Sequence, residues 1–140
     1  MSDMLEFGRQ VLTAQPFSRL LGTELTCFEE GQAELRMTLN PEHLQQHGFA
    51  HGGVVAYLAD NALTYAGGSV LGNVVTQEMK LNYTRPALGD TLIARAVVVS
   101  FGRSQAVCRC DVFAVTGGEE KLCAAAQGTI VPVPDRSVSA

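Results

Sequence analysis

The sequence predicts a single α+β domain in which one long helix packs on one antiparallel sheet. Three observations lead there. The central run from His51 to Leu71 is apolar or small nearly throughout, with glycine pairs only at its start and at Gly67-Gly68. Two short alternating segments joined by Glu29-Glu30-Gly31 precede it. Long segments rich in β-branched residues, joined by turn-like connections, follow it. An order of hairpin, helix and strands leaves one helix to cover one sheet. The 140 residues suit one domain with a sizeable core, and no repeat, linker or second domain is expected over residues 1–140.

Each element has its own warrant. Met4 to Ala14 reads as a short amphipathic helix, within about residues 3–15, stopped near Pro16. Thr23 to Phe28 and Gln32 to Leu39 alternate and form a hairpin. Asn40 to Ala50 is a polar loop containing Pro41, and His51 to Leu71 follows as the long helix, with a weak point expected at Gly67-Gly68. Val74 to Tyr83, Thr91 to Phe101, Gln105 to Val115 and Lys121 to Val131 read as strands of an antiparallel meander, with "RPALGD", "GRS" and "TGGEE" as the connections. Pro132 and Pro134 begin a tail, from about residue 133, that is expected to fray.

Composition narrows the function classes. With 46% hydrophobic and 17% charged residues, the chain has the balance of a folded protein rather than a disordered one. A net charge of −4 with no basic block argues against nucleic acid as partner. No window approaches the ~20 apolar residues of a membrane span. The opening "MSDMLEFGRQ" lacks a basic-then-apolar signal pattern, so a cytoplasmic location is expected. Cys27, Cys108, Cys110 and Cys123 form no C-x-x-C pair and read as small apolar residues. His43, His47 and His51 have the spacing of metal ligands on a helix face, but Pro41, Gly48 and Gly52-Gly53 interrupt any helix there. No metal is expected. The "GGSVLG" stretch around Ser69 lacks the glycine that a serine nucleophile elbow needs two residues later.

The long helix holds one acid, Asp60, in an otherwise apolar run. At ~100° per residue, Val54, Leu58, Ala62 and Tyr65 share the face expected to meet the sheet, and Asp60 lies roughly 155° away. The side around Asp60 carries Ala56, Tyr57, Leu63, Thr64 and Gly67, where an exposed helix would carry charges. A sheet that covers one side leaves this side for a second subunit, so a homodimer with Asp60 near its interface is expected. The competing reading makes Asp60 simply the wet side of the helix. At the helix start, Gly52-Gly53 leave backbone N–H groups sterically open to a negative oxygen. Asp60 lies ~12 Å further along the axis, too far for both groups to grip one small carbonyl. Helices paired antiparallel across a dimer would bring the Gly52 N–H of one subunit opposite Asp60 of the other.

The pattern Q-x-x-G-x-x-H-G-G-x-x-x-x-L-x-D-x-A, from Gln45 to Ala62, resembles the signature of hotdog-fold acyl-CoA thioesterases. It is most similar to the phenylacetate-degradation (PaaI-like) branch and the related 4-hydroxybenzoyl-CoA thioesterases. "NYTRPALGD" (Asn82 to Asp90), "GRS" (Gly102 to Ser104) and "AAAQGT" (Ala124 to Thr129) are similar to that family's later strands and turns. The resemblance implies a hotdog fold, one long central helix wrapped by an antiparallel sheet of five to six strands. It implies hydrolysis of a small aryl- or short/medium-chain acyl-CoA to the free acid and CoA, with no cofactor besides the coenzyme A of the substrate. The family's acid falls on Asp60, as nucleophile or general base. The N–H that polarises the carbonyl falls on Gly52. The upstream amide falls on Gln45, and the hydroxyl that assists falls on Thr64 or Thr76; Thr64 is favoured, as the i, i+4 neighbour of Asp60. His51 and Gly53 are expected to brace the helix start or touch ligand, Tyr57 to line the acyl pocket, and Arg85 and Arg103 to rim the site toward the CoA phosphates. The resemblance also implies a homodimer and, to cover the open sheet face, a dimer-of-dimers tetramer. The alternative is a non-catalytic acyl-CoA-binding hotdog protein. A dehydratase is disfavoured because no histidine follows Asp60.

Overall fold

The computed structural model of the chain describes residues 2–134. Two short helices, α1 (Asp3–Thr13) and α2 (Pro16–Leu21), lead into strands β1 (Thr23–Glu29) and β2 (Gln32–Thr38). A loop containing a single 3-10 turn (Pro41–His43) then enters the central helix α3 (Gly52–Leu71). Four strands follow: β3 (Val74–Tyr83), β4 (Thr91–Phe101), β5 (Ala106–Thr116) and β6 (Glu119–Pro132). The expected tail lies largely outside the described residues.

Pro16 differs from its expected role. It does not merely stop α1 but occupies the first turn of α2, where its missing N–H costs nothing and its fixed φ suits a helix. Gly22, at φ +75°, then ends α2 in the left-handed conformation. The glycine pair Gly67-Gly68 does not interrupt α3. Gly67 is buried, and a Cβ there would lie 2.6 Å from Ile130 Cβ. The residue is small because β6 passes against the helix at that point.

All six strands form one antiparallel sheet in the order β1-β2-β4-β5-β6-β3. This is a hotdog fold, a helix wrapped by a sheet. The meander holds for β4, β5 and β6 only. β3 crosses the whole sheet and pairs with β6, Thr76 opposite Ile130. Local alternation fixes what is a strand, but not which strand lies beside which.

The sheet wraps α3 further than one flat face would. Register shifts occur between Leu25 and Cys27, Thr76 and Glu78, Val98 and Ser100, and Val112 and Phe113. Such irregularities bend strands and increase their twist. The chain's own sheet therefore buries Leu63 and Gly67, both assigned above to the face awaiting a second subunit. Val54, assigned to the stripe, is only half-buried, while Val55 is buried. The core runs along α3 through Leu58, Ala59, Ala62 and Ala66 to Leu35, Met37, Leu92, Val112 and Ile130. What remains half-exposed on the far side is a narrow strip holding Ala56, Tyr57, Asp60, Asn61 and Thr64.

Candidate active site

Asp60 sits in the seam between α3 and the edge strand β3. Thr76 Oγ1 donates to Asp60 Oδ1 at 2.5 Å. Thr64 Oγ1 donates to the Asp60 carbonyl at 2.8 Å and lies 2.9 Å from Thr76 Oγ1. Thr64 and Thr76 were alternatives in sequence; the fold brings both together, and Thr76 is the one that touches the carboxylate. The i, i+4 spacing takes the Thr64 hydroxyl to the helix backbone instead, a common fate for helical threonine. Among the described residues, Asp60 Oδ2 has no hydrogen-bond donor, so one carboxylate oxygen is held and the other is open.

The start of α3 forms a second cluster. His51 is the N-cap, and its Nδ1 accepts from Gly53 N–H at 2.9 Å. The N–H groups of Val54 and Val55 reach the His51 carbonyl at 2.9 and 3.3 Å. Of the four donors that a helix start leaves over, Gly53 and Val54 are bonded in this way and the His51 N–H reaches the His43 carbonyl at 2.8 Å. Only the Gly52 N–H lacks a partner among the described residues. Gly52 and Gly53 thus differ: the Gly53 donor is occupied and the Gly52 donor open. Tyr83 Oη donates to the Gly52 carbonyl at 2.9 Å and fixes the turn from β3.

Gln45 holds the preceding loop. Its Oε1 accepts from His47 N–H at 2.5 Å and Phe49 N–H at 3.3 Å. Gly48, at φ +86°, supplies the left-handed residue this tight loop requires. With Oε1 so engaged, the Gln45 amide NH2 has no partner among the described residues. Gln45, Gly52 and Arg85 line one cleft of about 600 Å³. Arg85 continues into an adjoining cleft that also includes Lys121. Arg103 lies on the β4–β5 turn and lines neither of these clefts.

Tyr57 is held by polar and aromatic partners from its own chain. Its hydroxyl lies 2.6 Å from Ser18 Oγ and 2.7 Å from Thr23 Oγ1, and accepts from Asn61 Nδ2 at 3.2 Å. Ser18 Oγ donates in turn to Gln15 Oε1 at 2.6 Å. The Tyr57 ring meets Phe17 edge to face at 5.2 Å. The side chain bolts α3 to α2 and β1. A half-buried phenol needs a partner, and the chain provides its own. Sequence reading missed Gln15, Ser18, Thr23 and Asn61. Only Asn61 left a signal, as a polar i, i+4 neighbour of Tyr57.

Two of the histidines, His43 and His51, use Nδ1 locally: His43 Nδ1 accepts from Asn40 N–H at 3.0 Å and His51 Nδ1 from Gly53 N–H. Among the described residues no group of three or more His, Cys, Asp or Glu is placed to hold a metal. Burial pushes the Cys108 and Cys123 thiols up to about 11, and Cys110 up to about 12 with help from neighbouring Asp111. All three stay protonated at neutral pH and are poor nucleophiles. No described helix is long and apolar enough to cross a membrane.

The family model described as the Thioesterase superfamily matches residues 47–121, more than half of the chain. The chain is 34% identical over 91 residues to the acyl-coenzyme A thioesterase PaaI of Escherichia coli, covering 64% of this chain and 65% of that one. A thioesterase family protein from Silicibacter pomeroyi superposes with a TM-score of 0.85 at 34% identity, covering 88% of this chain and 93% of that one. A mutant of the phenylacetic acid degradation protein PaaI of Thermus thermophilus superposes with a TM-score of 0.75 at 35% identity, covering 85% of this chain and all of that one.

Proposed function

The chain belongs to the thioesterase superfamily, and from that premise we propose that it is an acyl-CoA thioesterase acting on small aryl- or short/medium-chain acyl groups. The observation that carries this reading is the pairing of two incomplete sites on one helix. One is a carboxylate with a single oxygen held by a hydroxyl. The other is a helix-start N–H left without a partner among the described residues.

The roles follow from the chemistry. The Gly52 N–H donates to the thioester oxygen as negative charge grows on it. Asp60 either removes a proton from the attacking water or itself attacks the carbonyl carbon, giving an anhydride that water then opens. In both routes the C–S bond breaks and the thiolate of CoA leaves and takes up a proton. Thr76 orients the carboxylate through Oδ1, and Thr64, its own proton given to the Asp60 carbonyl, packs beside Thr76. The Gln45 amide and the His51–Gly53 cap shape the carbonyl site, and Arg85 faces the anionic end of CoA.

The two groups lie ~12 Å apart along α3, so neither protomer closes on a carbonyl alone. The clefts support a homodimer in which each carbonyl sits between one copy's Gly52 and the other's Asp60. β3 supports it too: it is a ten-residue strand at the sheet edge. Such an edge presents unpaired backbone groups to a second copy.

The deciding experiment is thiol release from aryl- and straight-chain acyl-CoA by wild type and Asp60→Asn. Turnover by wild type with a loss of at least ~100-fold in the variant supports the reading. Tight binding of acyl-CoA with only background release would replace it with a non-catalytic acyl-CoA-binding protein.

A further inference from the structure

A third cleft, of about 390 Å³, opens between α1 and α3. Phe7, Val11, Phe28, Tyr65 and Val74 are among its apolar walls, and Thr64, Gln15, Asn61 and Asn73 supply its polar edges. The Thr64 hydroxyl is 2.9 Å from Thr76 Oγ1, which in turn donates to Asp60. The apolar space therefore begins one hydroxyl away from the group that holds the carboxylate.

The cleft has a fixed floor and an open wall. Phe28 and Tyr65 pack edge to face at 5.2 Å, and Tyr65 Oη donates to the buried Gly8 carbonyl at 2.8 Å. A Cβ on Gly8 would lie 2.6 Å from both Leu25 Cδ2 and Phe28 Cδ2, so α1 is seated there as closely as a helix can be. On the other side, Phe7 is 61% exposed and Val11 39% exposed. These are neighbouring residues on the α1 ridge, one turn apart, whose apolar surface faces water beside an empty apolar space.

We propose that this cleft receives the acyl group and that Phe7 and Val11 set which acyl groups fit. The inference rests on the thioesterase reading above and names its substrate class. Ligand pockets span roughly 300–1,000 Å³, and an apolar cavity of about 150 Å³ already holds a benzene ring. A cleft of about 390 Å³ thus admits an aromatic ring with a short spacer, or a short aliphatic chain, and its aromatic walls suit the ring. Tyr57, which the sequence offered as pocket lining, is bolted to α2 and is no part of it.

The test measures kcat/KM with acetyl-, hexanoyl- and benzoyl-CoA for wild type, Val11→Phe, Phe7→Ala and Phe101→Ala. Phe101 is 55% exposed on β4 and serves as the control. Val11→Phe should fill the cleft and lower kcat/KM for benzoyl- and hexanoyl-CoA by about 10-fold or more, while acetyl-CoA changes by less than about 2-fold. Phe7→Ala should raise hexanoyl relative to benzoyl, and Phe101→Ala should leave the ratios alone. Both α1 side chains are exposed, so melting temperatures should hold. Equal losses on all three esters, or unchanged ratios, overturn the proposal. If wild type releases thiol from none of the three, the hydrolase reading fails instead. Calorimetric affinities of benzoyl-CoA and free CoA then decide the inference: Val11→Phe must weaken the first by about 10-fold and spare the second.

Discussion

Two polar clusters flank the half-exposed strip of α3, and they are built in opposite ways. Around Tyr57, the side chains of Gln15, Ser18, Thr23 and Asn61 hydrogen-bond one another and carry no charge. Around Asp60, the described residues supply two hydroxyls and leave one carboxylate oxygen without a donor. The first cluster gives the Tyr57 hydroxyl three partners and joins α2, β1 and α3. The second leaves a charge incompletely held, a poor way to stabilise a fold and a good way to keep a base or nucleophile available. Two groups on one helix strip, Tyr57 and Asp60, looked alike in sequence. They differ in whether the chain supplies all of their partners.

The contrast can be attacked from either side. Asp60→Asn should have the largest effect, at least ~100-fold in kcat/KM, with an unchanged melting temperature because the amide oxygen still accepts from Thr76. A large drop in stability would put Asp60 in the structural class with Tyr57. Thr76→Val should cost about 10-fold in kcat and Thr64→Val about 3-fold, since of the two hydroxyls it is Thr76 that donates to the carboxylate. A reversed order in steady-state kinetics would mean that Thr64 is the working hydroxyl. Tyr57→Phe should have the smallest catalytic effect, within about 2-fold, and instead cost about 1 kcal/mol in denaturant unfolding as Ser18 and Thr23 lose their shared partner. A catalytic loss there without destabilisation would merge the two clusters into one site.

The sequence showed the helix and strands well because each has its own period and its own stops. The start of α3 was legible down to the residue: His51 sits where a cap belongs, and Gly52-Gly53 follow. Asp60 stood out because a lone acid in an apolar run has few structural uses. The place of β3 was hidden, since its pairing with β6 depends on residues about fifty positions away. The wrap of the sheet was hidden for a related reason. It arises from bulges, which show only when two strands are laid together, so Leu63 and Gly67 looked available to a partner when Ile130 and its neighbours already cover them. The partners of Tyr57 were hidden because Ser18 and Thr23 carry no local mark of their meeting.

The position of β3 also has a consequence in time. During synthesis it emerges before β4, β5 and β6, yet its sheet partner is β6, the final strand of the fold. Domains form from the N-terminus as the chain lengthens, and long-range pairings come late. A nascent chain interrupted before Glu119 can already possess α3 and Asp60, but β3 has no strand to lie against, and Thr76 is not carried to the carboxylate. The hydrogen bond from Thr76 to the Asp60 carboxylate thus forms among the last.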